Sequence, residues 1–386
     1  MTVGQGTGLA VSDDAAMSPQ TGSPSLVASL VGRSLVHPVF DYALIGGALS
    51  LVVAAVVLMD PSRAEMVSLG ALPYFILLSN SAHFAASTVR LYTKPGAIEA
   101  LPRLTMVMPL AALIILTLCI ARATEVGRHV TAVYLTWSPY HYAAQAYGLA
   151  VIYCYRSGCP LTSGNKRLLW WVSMVPFLFN FSTASGIGLN WLVGLVDNWT
   201  GLHLGSAIYP IRNPQNIAMV RWSVLAVALT AIGLLLASIW RRGGRPMPLI
   251  SLLVLPSNAI WWFCLPPFGA FIWATIFHGL QYLAIVIHFH LKDQMARPGN
   301  RHGALYHVVW FYGASLLLGF GLFNVLPQAY ILAGFLPVES VMLVVAGINI
   351  HHFVVDAYVW RLKKTDSNRR IVEAVAPVDG PAAVPV

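Results

Sequence analysis

The sequence predicts an all-α, polytopic integral membrane protein: a bundle of about ten transmembrane helices with both termini on the cytoplasmic side. Three observations predict it. Charged residues make up 10% of the 386 positions and hydrophobic ones 57%, with a mean hydropathy of +0.69, whereas a soluble domain is about 25% charged. Apolar runs of about 20 residues, the length a helix needs to cross ~30 Å of hydrocarbon, recur along the whole chain. The basic residues then fall in every second loop.

The apolar runs lie at roughly 40–59, 67–89, 104–121, 130–154, 168–188, 218–240, 248–266, 268–290, 305–325 and 331–360. The fifth continues into "NFSTASGIGLNW", whose Asn, Ser and Gly content predicts a broken or re-entrant stretch facing protein or water. The seventh and eighth are joined by "CLPPFGA", a tight turn. Residues 1–35 are rich in Gly, Ser, Ala and Pro and lack the basic start and compact apolar run of a secretory signal. They read as a disordered segment, as do residues 365–386, leaving 36–364 as the transmembrane domain.

The basic residues orient the runs. With a cytoplasmic N-terminus and alternating crossings, the inner side holds Arg33, Arg90, Lys94, Arg103, Arg156, Lys166, Arg167, Arg241, Arg242, Arg245, Lys292, Arg297, Arg301 and the cluster from Arg361 to Arg370. Only Arg63, Arg122, Arg128, Arg212 and Arg221 remain outside. This is the positive-inside distribution, and it accounts for the net charge of +9 without a nucleic-acid partner. The expected location is the cytoplasmic membrane of a bacterium, with membrane lipids as the first partners. Four cysteines (Cys119, Cys154, Cys159 and Cys264) make no disulfide framework.

Histidine carries the chemistry. Ionisable side chains within spans are rare and usually functional, yet His83, His141, His278, His288, His290, His351 and His352 all fall in runs that cross from outside to inside. Asn349, His352 and Asp356 are spaced i, i+3, i+7 and share a helix face, as do His141 with Gln145 and Asn80 with His83. His278 and His290 stand about 18 Å apart along one axis, too far for one mononuclear centre. The sequence therefore predicts a polar cage in the cytoplasmic half of the bundle. Its candidate ligands are His83, His141, His288, His290, His351, His352 and Asp356. Asn80, Tyr140, Gln145 and Asn349 stand behind them as polar support, and His278 lines an approach cavity. His37, His129 and His203 lie at run ends or in a loop and read as structural, while His302 and His307, just after a basic loop, read as interfacial.

A ligand set of imidazoles with one carboxylate and no convergent thiolate suits iron, copper, zinc or nickel. Such a site resembles in kind the membrane desaturases and hydroxylases, which hold two irons in histidine boxes. Here the elements are HFH, HH and HHxxxD in place of HxxxH and HxxHH. "VIHFHLKD" is also similar to the HFH element of haem–copper oxidase subunits, although the order of elements is reversed and their His-Pro-Glu-Val-Tyr element is missing.

Three function classes follow. The first is an intramembrane oxygenase, hydroxylase or desaturase with iron, two ions being possible and copper the alternative metal. It would act on a lipid or other apolar small molecule and draw electrons from a separate donor at the cytoplasmic face. The second is a haem-binding or haem–copper-like electron-transfer protein, with His141 and His278 as an axial pair. The third is a transporter of protons, metal ions or a small solute.

Overall fold

The computed structural model describes residues 26–60, 72–159, 161–242, 245–360 and 372, and no strand occurs among them. Helix forms over every apolar run, so far as the runs fall within these residues. Five helices are long and apolar enough to cross a membrane singly: Arg103–Ala121, Pro214–Arg241, Gly269–Met295, Ala304–Leu332 and Pro337–Val359. Two bent pairs raise the number to seven. Pro38–Ile45 meets Ala48–Met59 at 48°, and Ser163–Thr183 meets Gly188–Thr200 at 42°. The second bend is the break expected in "NFSTASGIGLNW". The first falls at Gly46 and Gly47, where Gly47 takes φ +82° and a Cβ would lie 2.4 Å from the Ser257 hydroxyl oxygen.

Three further helical runs fall below that measure of length and apolarity: Leu72 to Thr93, Ala123–Arg156 and Leu249–Cys264. The last has only 16 residues. The first two carry the Asn, Ser, Thr, Tyr and His residues that lower a helix's hydropathy. Their place in the bundle explains why they tolerate them. A helix set against lipid must be apolar all round, whereas one enclosed by protein need not be.

The bundle accordingly has an inside and an outside. Only 17% of the most apolar stretch of Pro214–Arg241 is buried, and likewise of Ala304–Leu332, against 72% for Gly269–Met295. The interior is built from four helices, named here for the histidine each carries: the His83 helix (Ala82–Thr93), the His141 helix (Ala123–Arg156), the His278 helix (Pro267–Met295) and the His352 helix (Pro337–Val359). The His352 helix packs on the His83 and His141 helices, and the His83 helix packs on the His278 helix and on Ala304–Phe320.

Small residues set these distances, as they do wherever helices pack inside a membrane. Ala82, Ala85 and Ala86 are fully buried along the His83 helix. The chain enters that helix through a π-helical turn, Ile76–Ser81, a wider i→i+5 winding found mostly where function needs a local distortion. Two glycines from neighbouring helices seat it. A Cβ on Gly279 would stand 3.1 Å from the Ser79 carbonyl oxygen, and one on Gly319 would stand 2.6 Å from that of Ser81.

Polar ties hold helix ends together. Arg90, at the end of the His83 helix, pairs with Asp293 of the His278 helix at 2.5 Å, and both are buried. Buried Asp41 accepts hydrogen bonds from the backbone N–H groups of Leu35, Val36 and His37 and from the Tyr153 hydroxyl. Leu26–Val31 is helical and Leu35 is buried, so packed structure begins ahead of residue 36. Near the other end, Val372 is buried and accepts a hydrogen bond from Arg156. Residues 1–25, 365–371 and 373–386, where disordered ends are expected, lie outside the described residues.

The glycine contacts yield a stability test. Gly319→Ala forces a methyl group against the Ser81 backbone and is expected to cost about 1–3 kcal/mol, the range for overpacking. Gly313→Ala on the same helix meets nothing within 4 Å and should be neutral or slightly stabilising. Thermal unfolding of the two variants in detergent checks this, and equal midpoints would contradict the packing.

Candidate metal centre

Each interior helix contributes one histidine, and the four converge. A ligand nitrogen from each of His83, His141, His278 and His352 lies within 4.8 Å of the other three. The rings form a closed cycle of edge-to-face neighbours. Centroids are 4.9 Å apart for His83 and His278, 5.0 Å for His278 and His141, 5.0 Å for His141 and His352, and 4.7 Å for His352 and His83. His83, His278 and His352 are buried and His141 is 11% exposed. Among the described residues this is the one group of three or more potential metal ligands.

The π-helical turn fixes the first ring. His83 Nδ1 lies 3.1 Å from the Asn80 carbonyl oxygen. A carbonyl only accepts, so Nδ1 carries the proton and Nε2 keeps its lone pair. That Nε2 is buried with no hydrogen-bond partner, as is Nε2 of His278. His141 Nε2 and His352 Nε2 are 3.2 Å apart. With neutral rings and nothing between them, one nitrogen donates to the other. With an ion between them, that distance matches an edge of a tetrahedron with bonds of about 2.0–2.1 Å.

Aromatic rings brace the cycle from outside. Tyr142 lies against His278 at 4.2 Å and its hydroxyl bonds Thr275 at 2.7 Å. Phe353 lies 4.7 Å from His141, and Phe84 lies 4.8 Å from His352. Gln145 Nε2 donates to the His278 carbonyl at 3.4 Å. Asp356 borders the cycle, with Oδ2 3.4 Å from His352 Nε2 and 3.6 Å from His141 Nε2. Its Oδ1 accepts the Tyr282 hydroxyl at 2.7 Å, so one carboxylate oxygen is held by a tyrosine whose ring packs on His83 and His352 while the other faces His352 and His141.

The structure brings together part of the set expected from sequence and moves one member. His83, His141, His352 and Asp356 meet. His278, expected in an approach cavity, belongs to the cycle itself. His288, His290 and His351 stand elsewhere. Ten and twelve residues beyond His278 on the same helix, His288 and His290 lie about 15 and 18 Å further along its axis. His290 contacts Thr93 and packs on Phe311 and Trp310. His351 points 100° away from its neighbour and lines a separate cavity of about 200 Å³ with Phe84 and Thr88. Asn349 turns back to its own helix, donating to the Val345 carbonyl. Asn80 acts through its carbonyl on His83, while Tyr140 is partly exposed at the rim of a cavity described below.

The HFH and HH elements drew attention as doublets. A straight helix, however, turns adjacent residues 100° apart and alternate residues about 200° apart, so a doublet delivers one ligand to a given point. The signal that points to the cycle is the presence of histidine in each of four runs read as crossing in the same direction, and it does not choose among His278, His288 and His290. The Asp356 tether gives a test: Tyr282→Phe leaves a buried carboxylate oxygen without its hydroxyl donor and is expected to cost about 1–3 kcal/mol. Thermal unfolding in detergent measures it, and an unchanged midpoint would show that the contact contributes little. The chain matches no family model, no curated protein and no solved structure, so what this site does is read from its own geometry.

Proposed function

We propose that the chain crosses the membrane ten times with both ends in the cytoplasm, and that it holds one metal ion among His83, His141, His278 and His352 for oxidative chemistry on an apolar substrate. The observation that carries this reading is the convergence of four imidazoles, three of them buried, with the Nε2 atoms of His83 and His278 met by no protein group. Leaving such groups unmet in an apolar interior costs several kcal/mol, and a shared cation satisfies all four together.

Ten crossings follow if the three less apolar runs are interior spans, since the alternation of basic loops needs every one of them. Imidazole donors favour iron, copper, zinc or nickel over calcium or magnesium. We take iron, in one centre rather than two. An iron ion held by neutral imidazoles with a position left open supplies dioxygen activation. Hydroxylation or desaturation then draws an electron pair from a separate donor at the basic cytoplasmic face. The residues here do the remainder. They fix the His83 tautomer through the Asn80 carbonyl, place the Asp356 carboxylate beside His141 and His352, and exclude water with Phe84, Tyr142 and Phe353.

The haem reading finds less support. The His141 and His278 rings approach to 5.0 Å at 73° with His83 and His352 beside them, which leaves no slot for a flat macrocycle between them.

Metal analysis with an optical spectrum on the detergent-purified chain tests the proposal. About one metal ion per chain without a Soret band is expected. His278→Ala and His352→Ala should lose it, while His351→Ala, His290→Ala and His203→Ala retain it. Equal metal in all five variants would sink the assignment. Asp356→Asn should weaken metal binding by about 10–100-fold, as loss of an orienting carboxylate does.

A further inference from the structure

Beside the histidine cycle lies a cavity of about 590 Å³ between the His141, His278 and His352 helices. Its wall on the His141 helix is one broad face, in which a stripe of Trp137, His141, Ala144, Gly148 and Ile152 is flanked by Tyr140, Gln145, Tyr147, Leu149 and Val151. From Trp137 to Ile152 the stripe runs about 22 Å at 1.5 Å per residue. A volume of this size drawn out over that length is narrow. Its imidazole, amide and carboxylate side chains are gathered at one level, where His141, Gln145 and Asp356 line it. From there to Ile152 the lining is aliphatic and aromatic, with Tyr147 bringing a hydroxyl-bearing ring on the His141 helix and Ile285, Phe289 and Trp360 opposite. Tyr140 and Ala357 are exposed at the rim, so the cavity opens sideways between two helices.

We propose that this groove binds one elongated hydrocarbon chain, acyl or polyprenyl, lying along the His141 helix with its reacting carbon at His141 and Asp356. The inference rests on the metal-centre reading for the reaction, but not for the binding. The chain enters from the bilayer through the rim between Tyr140 and Ala357. It extends about 16 Å beyond His141 toward Ile152, by the same rise per residue. A compact or polar ligand would leave most of that length unfilled or unpaired.

Gly148 is the residue that sets the bore. It sits in the middle of the apolar stretch, and a Cβ built there meets nothing within 4 Å. A larger side chain therefore enters the groove rather than the packed protein, and it blocks the bore without disturbing the fold. Gly313, equally open on Ala304–Phe320 and absent from the groove lining, is the matched control.

The test is titration of the full chain in nanodiscs with cis-parinaric acid, a fluorescent polyene chain, reading energy transfer from Trp137 and Trp360 in the groove wall, with metal content measured on the same samples. The wild type and Gly313→Phe should show saturable transfer. Gly148→Phe should weaken it by about tenfold or more, equivalent to about 1.4 kcal/mol, with metal content unchanged. Competition by palmitate or by geranylgeraniol then tells an acyl from a polyprenyl chain.

Saturable binding in Gly148→Phe equal to wild type, or no saturable transfer in the wild type, overturns the proposal. Metal missing from every sample while Gly148→Phe still loses the probe leaves the groove assignment standing and removes the metal-centre reading. Metal present with no chain bound does the reverse.

Discussion

Four imidazoles facing one another at the centre of an apolar bundle impose the main constraint on this structure. Neutral histidine offers one donor and one acceptor, and a medium without water leaves each unmatched group at full cost. His83 answers with one nitrogen on the Asn80 carbonyl, and His141 and His352 answer with each other. The Nε2 atoms of His83 and His278 are left without a partner, and one ligand nitrogen of each ring lies within 4.8 Å of the other three. Everything nearby serves to keep them there: the π-helical turn ahead of His83, the glycines that let two helices touch that turn, and the aromatic rings that brace the cycle.

Because the cycle is polar, the helix faces that carry it cannot meet lipid, and this helps to sort the bundle. The two most apolar helices, Arg103–Ala121 and Pro214–Arg241, are only 22% and 17% buried over their most apolar stretches. The His83 and His141 helices are less apolar than a lipid-facing span and sit within. In water the hydrophobic helix goes inside; in a bilayer the apolar surface has no reason to hide, and polarity marks the interior. The Arg90–Asp293 pair follows the same logic. Its two charges are buried together where the His83 and His278 helices end.

The groove and the cycle are two sides of one arrangement. The His141 helix turns His141 toward the other three rings, and the same stripe continues past Ala144 and Gly148 to give an apolar wall. Asp356 faces both the cycle and the groove. On the proposed reading, such a junction would bring an oily chain to a polar centre without exposing that centre to water, which suits chemistry on an otherwise unreactive hydrocarbon.

Composition and run length by themselves determined that this chain is helical and apolar enough for a membrane, since both depend only on how much polar surface each stretch carries. The break after Ser163–Thr183 was legible too, because Asn, Ser and Gly within an apolar run weaken a helix locally. So were His83, His141, His352 and Asp356 as members of one site, the last two from their i, i+4 spacing. Only the tertiary structure decided between His278 and the HFH pair of His288 and His290. Spacing along one helix shows that they cannot share a centre; which of them meets the other helices depends on how far each helix slides past its neighbours. That offset is set by contacts such as Gly279 on Ser79 and Gly319 on Ser81, between residues some two hundred positions apart, and no local pattern records it.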